Sequence, residues 1–128
     1  MTFRLHSITI DCTDWTRLVE FWAAASDFEE DPQNRNSPGD PVGALVTPDR
    51  RLQLLFIPVP EHKTMKNRIH LDVVPTGLTR DVEVERLLGL GATLVDDRRN
   101  DDGTGWVVLA DPEGNEFCVE RSDAERGS

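Results

Sequence analysis

Asp111-Pro112-Glu113-Gly114-Asn115, running on into Glu116-Phe117-Cys118-Val119-Glu120, is the stretch whose reading decides the fold. Pro and Gly bracket an acidic residue in a tight turn, with Gly114 free to take a positive φ. Trp106-Val107-Val108-Leu109-Ala110 leads into that turn, and beyond it Phe117 and Val119 alternate with Glu116, Cys118 and Glu120. The pattern predicts a β-hairpin whose second strand turns Glu116, Cys118 and Glu120 to one face.

Working outward, residues 68–74 read as a strand, 78–90 as a helix stopped by Gly91, and 92–95 as a strand. Asp101-Asp102-Gly103 supplies a turn before the hairpin. The first half repeats this order. Phe3, Leu5, Ile8 and Ile10 alternate along a strand over 3–12, and Asp14 caps a helix with Trp15, Leu18, Val19 and Trp22 on one stripe. A short segment at Phe28 and strands over 42–47 and 52–57 follow, while 31–41, rich in Pro, Asn, Asp and Gly, reads as a mobile loop. Pairing Ser7 with His70 offsets the halves by about 63 residues. Neither half has enough strands to bury its own sheet. The expectation is an α+β fold of two tandem βαβββ modules forming one continuous curved, cup-like mixed sheet with helices outside. The domain is expected to span 1–121, with modules at about 3–57 and 67–121, a linker at about 58–66 and a disordered tail at 122–128.

At 128 residues the chain has the length of one domain. Its net charge of −10 repels a phosphate backbone, and Arg50-Arg51 and Arg98-Arg99, the only basic pairs, lie beside acidic residues. Nucleic acid and anionic membrane are therefore not expected partners. No apolar run has the length of a membrane span, and Met1-Thr2-Phe3-Arg4-Leu5-His6 carries no signal-like apolar core. Cys12 and Cys118 do not make a disulfide framework, so a cytoplasmic location is expected. Phosphate-loop, dinucleotide-loop, HExxH and CxxC motifs are absent. Gly89-Leu90-Gly91 reads as a helix end.

The closing hairpin resembles that of the glyoxalase / bleomycin-resistance / extradiol-dioxygenase superfamily, the vicinal oxygen chelate proteins. Asp14 followed by Phe21-Trp22, and Gly91-Ala92 after the second helix, fit the same pattern, and the resemblance covers roughly 3–120. The run from Asn67 to Asp72 and that from Gly105 to Val119 look like the glyoxalase-like subgroup. The resemblance implies the duplicated βαβββ plan. In metal-using members it implies one divalent ion held from the first strand, the fourth strand, the first strand of the second half and the last strand. Those places fall on Ser7, Gln53, His70 and Cys118, the last where the family usually carries Glu. His6 is one residue off, which turns a strand side chain to the opposite face. A thiolate suits Zn²⁺, but an amide is a weak ligand and the set matches hard-ligand sites poorly. No metal is therefore expected. Were Zn²⁺ or another divalent ion held, His70 and Cys118 with His6 or Glu116 would hold it.

Period-two geometry puts Ser7, Thr9 and Asp11 on one face, and His70, Asp72 and Val74 on another. His70 with Asp72 is the candidate general acid/base pair; equally, Asp72 orients the histidine or meets solvent. Ser7, Trp106, Glu116, Cys118 and Glu120 are candidate ligand-binding residues, with Trp106 as an apolar wall. Trp15 and Trp22 are expected in the core, His62 in solvent, and Cys118, flanked by acids, as a cavity-lining residue ahead of a nucleophile. Three readings of function remain. The first is a small-molecule cup without the usual metal, with lyase- or isomerase-type chemistry through His70 and a carboxylate. The second is a sequestering module like the bleomycin-resistance proteins. The third is a metal-dependent enzyme with a rearranged ligand set. A homodimer is expected by analogy with relatives.

Overall fold

A computed structural model describes residues 1–127 of the chain. It divides into two compact units, Met1–Lys63 and Thr64 onward, each with one helix and one sheet.

The first unit contains β1 (Ser7–Cys12), α1 (Trp15–Ala25), β2 (Gly43–Val46) and β3 (Gln53–Pro58). The strand order is β1-β3-β2, with β1 parallel and β2 antiparallel to β3. The Asp14 carboxylate starts α1 by accepting from the Thr16 N–H at 3.0 Å and the Thr16 hydroxyl at 2.6 Å. Trp15, Leu18, Phe21 and Trp22 form the buried stripe of the helix, which packs on β2 and β3. The register sets Ile8 and Ile10 level with Leu54 and Phe56, and Leu45 level with Leu54, so one face is apolar. Gly43 is what lets Trp15 settle there: a Cβ at that position would stand 2.5 Å from the indole ring. Ser7, Thr9, Asp11 and Gln53 share the other face, as alternation predicts.

The loop over 31–41 is tied to both neighbours. Asn36 exchanges two hydrogen bonds with the Ala44 backbone, at 2.8 and 2.9 Å, and the Trp15 indole donates to the Asp40 carbonyl at 3.0 Å. The strand expected over 3–12 begins only at Ser7, because its partner β3 begins at Gln53; Phe3 is 92% exposed. The segment at Phe28 reduces to a single bridge between Glu29 and Val46.

The second unit contains β4 (Leu71–Val73), α2 (Arg80–Leu90), β5 (Thr93–Arg99), β6 (Gly105–Ala110) and β7 (Glu116–Val119), in the order β4-β7-β6-β5. β4 runs parallel to β7, and the other pairs are antiparallel. Thr79 caps α2 by accepting from the Val82 N–H, and Gly91 closes it in the left-handed region at φ 119°. Leu71, Val73, Phe117, Val119, Val107 and Leu109 share one sheet face by register. Val84 and Leu87 are the buried apolar residues of α2, which packs on β7. The opposite face carries Asp72, Cys118 and Val108 side by side.

Two expectations need correction here. The strand over 68–74 shrinks to Leu71–Val73, since the only strand beside it, β7, is four residues long. His70 therefore sits just outside the strand. Hydrogen bonding among the described residues also makes two sheets, one per unit, where one continuous sheet was expected; the α+β class stands. Residues from Ser122, read from sequence as a loose tail, form a turn as far as they are described. Ser122 is buried, and the Glu125 carboxylate accepts from the N–H groups of Ser122 at 2.9 Å and Arg80 at 2.6 Å. Ser128 lies outside the described residues.

Candidate functional site

The polar face of the second sheet holds a concavity of about 360 Å³ lined by His70, Asp72, Trp106, Cys118 and Glu120. Each wall residue is placed by strand pairing. Asp72 is level with Cys118 across β4 and β7, and Cys118 with Val108 across β7 and β6. One step along β6 from the pair Val107–Val119, Trp106 comes level with Glu120. The indole stays 45% exposed, as a ring presented to a ligand would be.

Burial pushes the Cys118 thiol up from its ordinary pKa of 9.0. The charge of Asp72 and its acceptance of the thiol hydrogen bond add to the shift, as does Glu120, while Lys66 opposes it. Cys118 is thus a neutral donor at physiological pH and a poor nucleophile. Asp72 accepts that bond while remaining exposed. The Glu120 carboxylate takes a 2.7 Å ion pair from Arg126.

His70 Nε2 lies 3.0 Å from the Asn67 carbonyl and 3.3 Å from Lys66 Nζ. A carbonyl only accepts and an ammonium only donates, so the two contacts demand opposite protonation of one nitrogen. The shorter contact is to part-buried backbone, the longer to an exposed lysine, and we assign the proton to Nε2. Nδ1 is then the nitrogen with a free lone pair.

Glu116 does not line this concavity, and Ser7 lies on the polar face of the first unit's sheet. Ser7 belongs to the first unit, where its hydroxyl donates to Gln53 Oε1 at 3.4 Å. Glu116 is buried and accepts from the Asn67 N–H at 2.8 Å. His6, just before β1, is exposed. Sequence reasoning missed Lys66, Asn67 and Arg126 around the wall, and also Arg80, which is 4% exposed. The Arg80 guanidinium donates to the carbonyls of Gly103, Thr104 and Gly105 at 3.0–3.2 Å, fixing the turn that delivers Trp106. One signal was available for it: a basic residue in the first turn of a helix opposes the dipole and so has other work.

The glyoxalase-like domain model matches residues 7–120. The chain belongs to the glyoxalase-like domain family. Among solved structures, it is similar to a glyoxalase/bleomycin resistance protein/dioxygenase family enzyme from Burkholderia phytofirmans PsJN, at 23% identity and a TM-score of 0.67, covering 91% of this chain and 97% of that one. The fosfomycin resistance protein FosX from Listeria monocytogenes gives 18% identity and a TM-score of 0.69, covering 98% and 95%. The oxidase ChaP-H2 gives 20% and 0.61, covering 95% and 94%. At these identities the likeness shows the fold alone. No curated protein matches the chain.

A mutant of that FosX has been crystallised with Mn(II) and 1S,2S-dihydroxypropylphosphonic acid. Burial and Asp72 raise the Cys118 thiol pKa above its ordinary value, and His70 Nε2 is turned to a carbonyl. Ser7 and Gln53 bond to each other. Among the described residues no three His, Cys, Asp or Glu side chains are grouped as ligands. A hydroxyl, an amide and a thiol are poor donors for a hard divalent ion. No helix among the described residues is long and apolar enough to cross a membrane.

Proposed function

We propose that this member of the glyoxalase-like family binds a small organic molecule on the polar face of its second sheet, with His70 as the proton-transferring group. The observation that carries the reading is the convergence of His70, Asp72, Trp106, Cys118 and Glu120 on one concavity of about 360 Å³, within the usual range for small-ligand sites. The wall is rich in acceptors: two carboxylates beside a histidine ring. It therefore suits a ligand that donates hydrogen bonds, carried on an apolar or ring-shaped body that stacks on Trp106. His70 acts as the base through Nδ1, and the carboxylates stabilise the imidazolium that results. This is proton-transfer chemistry of the lyase or isomerase type, and neither a nucleophilic thiol nor a metal is given a step in it.

Trp106 supplies the test. Trp15 and Trp22 are buried in the first unit, so a ligand at the wall alters chiefly the emission of Trp106. A library of small amines, polyols and cyclic carbonyl compounds is screened by fluorescence, with Trp106→Phe as the blank. Hits are then offered to the native protein and to His70→Ala, and products are followed by NMR. The expected result is quenching that Trp106→Phe abolishes and turnover that His70→Ala abolishes while binding only weakens. Binding without turnover would favour sequestration. Hits that quench Trp106→Phe equally would refute the site. The same preparation, run at graded concentrations by light scattering, tests the homodimer common among superfamily members.

A further inference from the structure

We infer that Glu116 is the positioning residue of this site, holding Asn67 so that its carbonyl fixes the His70 ring in the Nε2–H tautomer. The inference deepens the reading of His70 given above and rests on it.

Glu116 opens β7 and is only 9% exposed. Continuing the parallel register one step back from the pair Leu71–Phe117 brings Glu116 level with His70. Its carboxylate does not reach the concavity. Instead Oε1 accepts from the Asn67 N–H at 2.8 Å, a charge-assisted bond to backbone. Asn67 Nδ2 makes weaker contacts to the carbonyls of Glu116, at 3.4 Å, and Ile69, at 3.3 Å. Asn67 is thus held at its amide and its side chain by one residue of a buried strand. Three residues on, His70 Nε2 lies 3.0 Å from the Asn67 carbonyl.

The consequence is chemical. A carbonyl can only accept, so while Asn67 stays in place the Nε2–H form is favoured and the basic lone pair is confined to Nδ1. Without the Glu116 bond, the segment before β4 has no strand pairing to hold it. Lys66, 3.3 Å away, then competes as a donor to the same nitrogen and favours the opposite tautomer. A carboxylate buried beside an apolar strand needs such a partner to be tolerated at all.

The test reads the tautomer directly by 15N NMR of the three histidine side chains, with His70→Asn identifying the His70 signals. In the native protein His70 should be Nε2–H. In Glu116→Ala the Nδ1–H fraction should rise relative to Nε2–H by about fivefold, the factor that loss of one ordinary hydrogen bond carries. Glu116→Gln keeps a carbonyl oxygen for the Asn67 N–H and should restore the native tautomer. If Glu116→Ala does not fold, hydrogen exchange of the Asn67 amide in the native protein decides: slow exchange supports the inference and exchange at the free-peptide rate overturns it. A native Nδ1–H form, or a folded Glu116→Ala with an unchanged ratio, also overturns it. Failure to find any ligand would sink the functional reading and leave the tautomer result standing, so the two failures are distinguishable.

Discussion

Replacing Asp111 by Ala should cost this small protein a large part of its stability, through the turn that registers β6 and β7. Asp111 is 2% exposed. Its Oδ1 accepts from the backbone N–H groups of Glu113 at 2.9 Å and Asn115 at 3.0 Å, and the Asn115 side-chain amide reaches both carboxylate oxygens at 3.1 and 3.0 Å. Hydrogen bonds to a charged group contribute about 1.5–3 kcal/mol each, so losing the two backbone bonds costs about 3–6 kcal/mol. Against a typical total of about 5–15 kcal/mol that is a major fraction. The assay is urea denaturation followed by far-UV circular dichroism. The midpoint should fall at unchanged slope, because the surface exposed on unfolding is nearly the same. A cost below about 1 kcal/mol would refute the reasoning, since a buried carboxylate with these partners cannot be near-neutral to remove.

Two further outcomes follow from charge. Bonds from the Arg99 side chain and backbone hold the Asp97 carboxyl down at about 2 against an ordinary 3.8. A lowered folded pKa stabilises above the unfolded value and that stabilisation is lost as pH falls towards about 2. Melting temperature between these pH values should therefore drop less steeply in Asp97→Asn than in the native protein, and parallel curves would count against the pair. For the Cys118 thiol the shift is upward from 9.0, so its contribution is intact below that value and fades as pH rises beyond it. Asp72→Asn removes the charge while burial and an acceptor oxygen remain, so alkylation of Cys118 followed by mass spectrometry should begin at lower pH; an unmoved profile would contradict the assigned charge effect.

Much of this architecture was legible because local chemistry and tertiary outcome agree. Asp14 and Gly91 mark helix ends by capping physics that needs no distant partner, and the turn from Asp111 to Asn115 carries its own acceptor. The errors fall where a strand depends on its neighbour. Alternation from Phe3 onward and around His70 promised long strands, but a ladder extends only as far as its partner. β5 erred the other way, running through Asp96 to Arg99, which propensity disfavours. There Arg98 pairs with Asp96 at 2.6 Å and Arg99 with Asp97 at 2.7 Å, each two residues apart and so on one face, which suits an exposed edge. Alternation set Cys118 beside Glu120 and His70 beside Asp72, but it placed Glu116 on the same face too, and that carboxylate turns to Asn67 instead. What held the wall residues was not legible: nothing in the order of residues says that Glu116 turns to Asn67, that Arg126 pairs with Glu120, or that Arg80 anchors the turn before Trp106.

The place of Cys118 ties these observations together. The resemblance puts a metal-binding Glu at this position, and the change of side chain does more than remove one ligand. A thiol beside Asp72 keeps its proton, so the site gains a donor where an acceptor would stand and Asp72 is engaged in receiving it. Burial above all, and then the charges of Asp72 and Glu120 that an ionised thiol would face, favour the neutral form. A neutral thiol leaves His70 and the two carboxylates as the wall groups that can exchange a proton, so the role proposed for His70 turns on where its lone pair lies.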